Sequence, residues 1–222
     1  MIRLAVFDLD GTILDTRDDL GSACNHALVE CGFPERRMWE YNLLVGRGID
    51  NLFRGAMPKE AVCDENVARM RSIFVPYYNE HIADLTRPYP GCVEMLEALR
   101  SKGIRLAVAS NKYQQGTEIL VEKFFPGMFD AVLGKREGSP LKPDPQIVFD
   151  AIALSEQKSG MHIERAELAY IGDSNVDMIT GRNAGARTIG VSWGFRSTEE
   201  LLLERPFTVV DTMKQLLNAI LH

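Results

Sequence analysis

The strongest constraint on this chain is a repeated local pattern, in which a short apolar segment ends in polar or glycine-containing turn residues and a helix-like stretch follows. Ile2 to Phe7, Ile104 to Ala109, Leu168 to Ile171 and Thr188 to Val191 are the apolar segments, each short enough and β-rich enough to be a buried strand. Between them, Val93 to Lys102, Gln115 to Phe124, Pro145 to Leu154 and Val176 to Asn183 have helical periodicity or composition. A weaker strand is expected at Ala131 to Leu133 and an edge strand at Phe207 to Val210. Strands alternating with helices predict an α/β fold, a mainly parallel sheet with helices on both faces.

The first strand does not lead into an ordinary crossover. About 70 largely helical residues intervene before the alternation resumes near Pro88-Tyr89-Pro90-Gly91, whereas a βα loop usually has about 2 to 6 residues. We therefore expect a core of residues 1–14 and 87–222, Rossmann-like in architecture, interrupted by a small helical domain at 15–86. Within the insertion, Leu20 to Val29 and Glu60 to Leu85 read as helices, and Pro76 is expected to kink or divide the second. A 222-residue chain buries roughly 70% of the surface its unfolded form exposes, enough for one core and an accessory domain without disulfides or a structural metal.

In open α/β sheets, ligands collect beyond the carboxyl ends of the strands, and there this sequence concentrates its acids. Strand one ends in Asp8-Leu9-Asp10-Gly11-Thr12, and the Leu168 to Ile171 strand in Gly172-Asp173-Ser174-Asn175-Val176-Asp177. The second strand ends in Ser110-Asn111-Lys112, and a further loop presents Lys142-Pro143. Singly, each has an ordinary explanation: Asp-Gly is a common turn, Ser110-Asn111 or Ser174 can cap a helix, and Lys142 can be a solvated lysine. Together, in order and after apolar strands, carboxylates, a hydroxyl and an ammonium can surround one phosphoryl group and its metal ion.

Charge gives these residues their candidate roles. A phosphomonoester dianion repels an attacking carboxylate, so a divalent cation and a lysine are needed to offset the repulsion. Oxygen ligands suit Mg²⁺. Asp8 and Asp173 can each supply one, and Asp177, one helical turn beyond Asp173, can face the same ion or orient its water. Ser110 can donate a hydrogen bond to a phosphoryl oxygen, and Lys142 supplies positive charge.

Asp8-x-Asp10-Gly11-Thr12, Ser110-Asn111-Lys112, Lys142-Pro143 and Gly172-Asp173-Ser174-x-x-Asp177 together resemble the phosphatases of the haloacid dehalogenase superfamily, and the resemblance runs across essentially the whole chain. It implies an aspartyl-phosphate intermediate on Asp8, with Asp10 protonating the leaving oxygen, activating the hydrolytic water and binding Mg²⁺ through its backbone carbonyl. Thr12 and Asn111 are then candidate substrate contacts, and the insertion looks like the small helical cap that closes over such sites. The acid at Asp10 counts against a dehalogenase, a phosphonate hydrolase or a transport ATPase.

Cap residues choose the leaving group. Gly46-Arg47-Gly48 is the candidate, because glycines permit close backbone approach and Arg47 can pair with a carboxylate or second phosphate; a glycine-flanked helix start with a solvated arginine is the alternative. Val45-Gly46-Arg47-Gly48 and Leu85-Thr86-Arg87-Pro88-Tyr89-Pro90-Gly91 are similar to phosphoglycolate phosphatases, which implies a small phosphorylated metabolite, 2-phosphoglycolate foremost. Other readings are a pyrophosphatase, a nucleotide phosphatase with Trp39 or Tyr41 against a base, a sugar phosphatase, and a non-catalytic phospholigand sensor. A beta-phosphoglucomutase would place a histidine shortly after its Asp-Thr hinge, where this chain has Asp15-Thr16-Arg17-Asp18-Asp19-Leu20.

A net charge of -6 argues against broad nucleic-acid binding. No apolar run is long enough to span a bilayer, and the start of the chain reaches acidic residues too early for a signal peptide, so a cytoplasmic location is expected. Cys24, Cys31, Cys63 and Cys92 form no CxxC pair and read as free buried thiols.

Overall fold

In the computed structural model, which describes residues 1–222, the apolar segments become adjacent strands of one six-stranded sheet. Its strands are β1 (Leu4–Phe7), β4 (Arg105–Tyr113), β5 (Ala131–Lys135), β6 (Leu168–Gly172), β7 (Arg187–Val191) and β8 (Thr208–Val210), in the order β5-β4-β1-β6-β7-β8. Every pairing in this sheet is parallel. Leu4 pairs with Arg105 on one side and with Leu168 on the other, and Phe7 with Val108 and Ile171. The first strand of the sequence thus lies between the two that carry the other polar motifs. Chain order reverses direction on either side of β1, which opens a crevice beyond its carboxyl end.

Alternation along the strands assigns the two faces. Ala5, Phe7, Leu106, Val108, Ala169 and Ile171 belong to one buried cluster, and Leu4, Val6, Ala107, Ala109, Leu168 and Tyr170 to another. Strands buried on both faces read as the near-continuous apolar runs seen in the sequence. The core helices are α5 (Cys92–Ser101), α6 (Gln114–Phe124), α7 (Gln146–Ser159), α8 (Asn175–Ala184), α9 (Thr198–Leu203) and α10 (Met213–Leu221). α8 starts with a reciprocal Ser174/Asp177 capping box and stops at Gly185 in the left-handed conformation.

Between β1 and α5 the chain forms the helices α1 (Arg17–Glu30), α2 (Tyr41–Leu44), α3 (Ile49–Ala56) and α4 (Asp64–His81). Their buried faces, including Leu28, Tyr41, Phe53, Phe74 and Tyr78, form part of the same apolar cluster as Phe7. Two residues on each side, β2 (Leu14–Asp15) and β3 (Arg87–Pro88), pair antiparallel where this helical unit leaves and rejoins the sheet. Buried Asp19 tightens that neck, its carboxylate accepting the Leu85 amide at 3.0 Å and the Thr86 amide at 2.8 Å.

Pro76 does not divide α4, which runs unbroken from Asp64 to His81. The carbonyl it leaves without an intrahelical donor belongs to Ser72, and both residues lie on the exposed side of the helix, where solvent satisfies that group. Tyr41 is wholly buried, its hydroxyl donating to Asn25 at 2.7 Å, and Trp39 is exposed. Cys24, Cys31 and Cys92 are buried free thiols, but Cys63 is exposed because it precedes the first turn of α4 instead of packing beneath it. No helix is long and apolar enough to cross a membrane.

Leu106 is completely buried in β4. Leu106→Ala should cost about 2–5 kcal/mol of stability, seen as a lower urea midpoint with an unchanged denaturant slope.

Candidate active site

Three neighbouring strand ends build the site. β1 ends at Phe7, and Asp8 follows with its amide still bonded to the Ile171 carbonyl at 2.9 Å. A tight turn comes next, in which the amides of Thr12, Ile13 and Leu14 all donate to the Leu9 carbonyl. Gly11 takes φ +84° there, a conformation that costs glycine no side-chain clash. Asp8, Asp10 and Thr12 are consequently all buried at one strand end.

On one side, β4 runs on past the expected Ala109, and its regular ladder with β5 is interrupted between Ala109 and Tyr113. Ser110, Asn111 and Lys112 occupy that interruption and are buried. Asn111 acts as a splint: its Oδ1 accepts the Lys142 amide at 2.8 Å, while its Nδ2 donates to the Lys142 carbonyl at 3.2 Å and to the Gly46 carbonyl at 3.1 Å. On the other side, β6 delivers Asp173, and Ser174 caps α8. Asp177 Oδ2 accepts the Ser174 amide at 3.1 Å and its hydroxyl at 2.5 Å.

Lys142 ties these ends together. Its Nζ donates to Asp177 Oδ1 at 2.8 Å, to the Ala109 carbonyl at 3.1 Å and to the Tyr170 hydroxyl at 3.1 Å. Those bonds use the three N–H groups of an ammonium. Asp8 Oδ1 lies 2.9 Å from the same nitrogen, a fourth oxygen around the one ammonium. The contact with Asp8 is an ion pair that offsets the charge of a buried carboxylate.

Four buried carboxylates, Asp8, Asp10, Asp173 and Asp177, meet two buried ammonium groups, Lys112 and Lys142, which leaves an excess of two negative charges. The protonation behaviour reflects this. Burial pushes Asp8 up to about 7, against the pull of Lys142 and with Asp177 and Asp10 adding to the rise. Asp173 is driven well above the ordinary carboxylate range by burial and by repulsion from Asp177 and Asp8. Burial works to lower Lys142, but Asp177 and Asp8 hold it well above the usual lysine value. Lys112 is lowered, because burial outweighs its attraction to Asp10.

Oxygen atoms of Asp8, Asp173 and Asp177 lie within 4.8 Å of one another. A hard, all-oxygen donor set with an uncompensated double charge fits a divalent cation such as Mg²⁺. Asp173 is fixed on both oxygens, accepting the Phe195 amide at 2.7 Å and the Thr12 hydroxyl at 3.3 Å. Asp177 has both oxygens engaged by Ser174 and Lys142.

A narrow pocket opens over these groups, lined by Asp8, Asp10, Ser110, Asn111 and Lys112 from the sheet and by Leu20, Val45 and Leu52 from the helical unit. Gly46 and Gly48 line it too, but the exposed Arg47 side chain faces a separate cleft of about 790 Å³ with Arg71, Lys135 and Arg136. Thr12 bonds Asp173 and Asn111 bonds backbone.

Two features were not singled out in the sequence. Lys112 donates to Asp10 Oδ1 at 3.1 Å and to the Tyr78 hydroxyl of α4 at 2.9 Å. The loop after β7 carries Trp193, whose indole N–H donates to the Thr12 carbonyl at 3.0 Å, Gly194 against Asp173, and Arg196, which donates to the Leu43 and Val45 carbonyls at 3.2 and 2.9 Å. A glycine just past the carboxyl end of a fourth strand was the available signal.

A family model described as Haloacid dehalogenase-like hydrolase matches residues 5–191. The Phosphoglycolate phosphatase of Vibrio vulnificus strain YJ016 is 31% identical over 226 residues, covering 99% of this chain and 96% of that protein. The one from Caulobacter vibrioides is 36% identical over 197 residues, covering 87% and 80%. A crystal structure from Lactobacillus delbrueckii subsp. bulgaricus, provisionally assigned as a phosphoglycolate phosphatase, superimposes with TM-score 0.88 at 34% identity, covering 98% of each chain.

A native state that keeps a proton on Asp8 up to about pH 7 binds more protons than the unfolded chain, whose carboxylates ionise near pH 4. Its stability is thus greatest below about pH 4 for this group and falls as pH rises towards 7. In chelator, the thermal midpoint should rise by several degrees between pH 8 and pH 5.5, and Asp8→Asn should flatten that rise. A Cβ at Gly194 would sit 2.2 Å from the Asp173 Cβ. Gly194→Ala should lower kcat/KM by about a hundredfold with an unchanged far-UV circular dichroism spectrum.

Proposed function

The chain belongs to the haloacid dehalogenase-like hydrolases and is a phosphatase, and from that premise we propose that it hydrolyses a small phosphorylated metabolite, 2-phosphoglycolate foremost, through a phosphoryl group carried on Asp8. The observation that carries this reading is the buried Asp8 carboxylate at the wall of the cavity, with one oxygen 2.9 Å from the Lys142 ammonium. A carboxylate so placed is aligned and charge-compensated, and its lone pair stays available to phosphorus.

Asp8 attacks the phosphorus, the new bond runs from its carboxylate oxygen to phosphorus, and the bond to the ester oxygen breaks. Asp10, two residues on and at the wall of the same cavity, delivers a proton to the departing oxygen. It then takes a proton from the water that attacks the aspartyl phosphate, restoring the Asp8 carboxylate and releasing inorganic phosphate. Ser110 donates to a phosphoryl oxygen, and Lys142, held by Asp177, balances charge throughout. Asp8, Asp173 and the Asp10 carbonyl would hold Mg²⁺, which supplies the positive charge that lets two anions approach. Residues 15–86 form a cap over the reacting atoms, and its contacts with Asn111, Lys112 and Arg196 support a closed arrangement that excludes water.

The Vibrio vulnificus and Caulobacter vibrioides relatives, which carry the name phosphoglycolate phosphatase over 99% and 87% of this chain, support that substrate. Leu20 in the cavity wall, in the segment where a mutase would carry histidine, supports hydrolysis over phosphoryl exchange.

Phosphate release should require Mg²⁺, stop in chelator, and favour 2-phosphoglycolate over hexose phosphates, nucleotide monophosphates and pyrophosphate in kcat/KM. Asp8→Asn should reduce turnover by about a thousandfold or more. A purified Asp8→Asn protein with undiminished turnover would remove Asp8 as nucleophile.

A further inference from the structure

We propose that Lys112 is the residue that reads the leaving group, selecting phosphate esters whose alcohol carries an anion one or two carbons from the ester oxygen. The inference rests on the phosphatase reading of the same site and deepens it by assigning the second charge of the substrate to a side chain of the sheet, which Arg47 of the helical unit was the sequence-based candidate to hold.

The walls of the cavity argue for it. Once a phosphoryl group sits on Asp8, the departing alcohol points away from the sheet, towards Asp10 and the helical unit. What it meets there is largely aliphatic: Leu20, Val45, Ile49 and Leu52. Lys112 and Lys142 are the buried lysines at the site, but Lys142 has its three N–H groups already used by Asp177, Ala109 and Tyr170. Lys112 alone of the two lines the cavity. Arg47 is exposed and lines the neighbouring cleft.

Distance sets the class of substrate. Lys112 Nζ is 3.1 Å from Asp10 Oδ1, and a proton-donating Asp10 lies within about 3 Å of the ester oxygen. Lys112 Nζ is therefore within about 6 Å of that oxygen. A carboxylate on a one- or two-carbon spacer, itself about 3 Å from the ammonium, bridges this gap, whereas a base or a hexose ring would bring ring nitrogens or hydroxyls against the aliphatic Leu20, Val45, Ile49 and Leu52. In the absence of substrate Lys112 has Asp10 and the Tyr78 hydroxyl as partners, so the incoming carboxylate takes the place of Asp10 on the ammonium and frees Asp10 to face the ester oxygen. Tyr78 stays as the second partner and brings α4 into register over the leaving group. An alcohol without an anion leaves the Lys112–Asp10 pair intact.

The test compares 2-phosphoglycolate with its neutral, isosteric amide. Binding is measured by titration calorimetry to Asp8→Asn protein with Mg²⁺, which needs no turnover, and kcat/KM is measured with otherwise wild-type protein. We expect the carboxylate to bind at least tenfold more tightly than the amide, and its kcat/KM to exceed that of the amide by at least the same factor. Lys112→Gln should bring both ratios to within about twofold, Lys112→Arg should keep a part of the preference, and Arg47→Ala should leave the ratios unchanged. A purely structural role for Lys112 would depress both compounds equally and keep the ratio, which would overturn the proposal. So would equal binding of acid and amide to protein that retains Lys112, or a ratio that collapses in Arg47→Ala instead. Should Mg²⁺-dependent turnover be missing while the binding preference persists and follows Lys112, the hydrolytic reading fails and the assignment of Lys112 stands.

Discussion

The architecture around the site depends on the placement of one ammonium group. Lys142 is buried among oxygens drawn from four parts of the chain: Asp8 after β1, Ala109 in β4, Tyr170 in β6 and Asp177 in α8. A lysine removed from water costs several kcal/mol unless charge and hydrogen bonds replace its hydration, and here they come from segments up to 169 residues apart in the numbering. Removing any one partner leaves the ammonium or the remaining carboxylate uncompensated. The parallel sheet, with β1 between β4 and β6, brings these partners to the same end of the sheet, so fold and charge balance specify each other.

A second tier of constraint holds Asp173. Its carboxylate lies between two backbones too close to admit a side chain: a Cβ on Gly11 would come within 2.4 Å of it and one on Gly194 within 2.2 Å of its Cβ. Hydrogen bonds from Phe195 and Thr12 fix its two oxygens. Steric and polar restraints thus fix the same carboxylate, which leaves little freedom in where a cation would settle. Such rigidity is what an electrostatic site requires, since dipoles that need not reorganise during reaction lower the barrier most.

The order of motifs made much of this readable in the sequence. Acids after apolar segments become acids at the carboxyl ends of strands, and parallel connectivity gathers those ends, so Asp8, Asp10, Ser110, Asn111, Lys142, Asp173 and Asp177 could all be placed near one another. The insertion was visible because 70-odd residues cannot be a βα loop. Other features depend on tertiary context. Strand propensity gives no reason for β4 to continue through Ser110, Asn111 and Lys112, and only that extension buries Lys112. β2 and β3 are two residues each, below any periodicity signal. The loop after β7 reads as an ordinary glycine turn until Asp173 is seen against it. Pro76 shows the reverse, a strong local rule overridden because the orphaned carbonyl faces water.

Arg196 gives the helical unit a particular kind of dependence. Its guanidinium binds the carbonyls of Leu43 in α2 and of Val45 just after it, while its neighbours Gly194 and Phe195 grip Asp173. One five-residue loop of the sheet therefore serves as socket for the helical unit and as wall for the acidic cluster. Helical units transplanted between relatives at the β2 and β3 junction alone would arrive without their socket. A graft that keeps its closing geometry has to carry the Ser192 to Arg196 loop with it, which makes the transferable module discontinuous in sequence, one segment before the sheet is complete and one near its far edge.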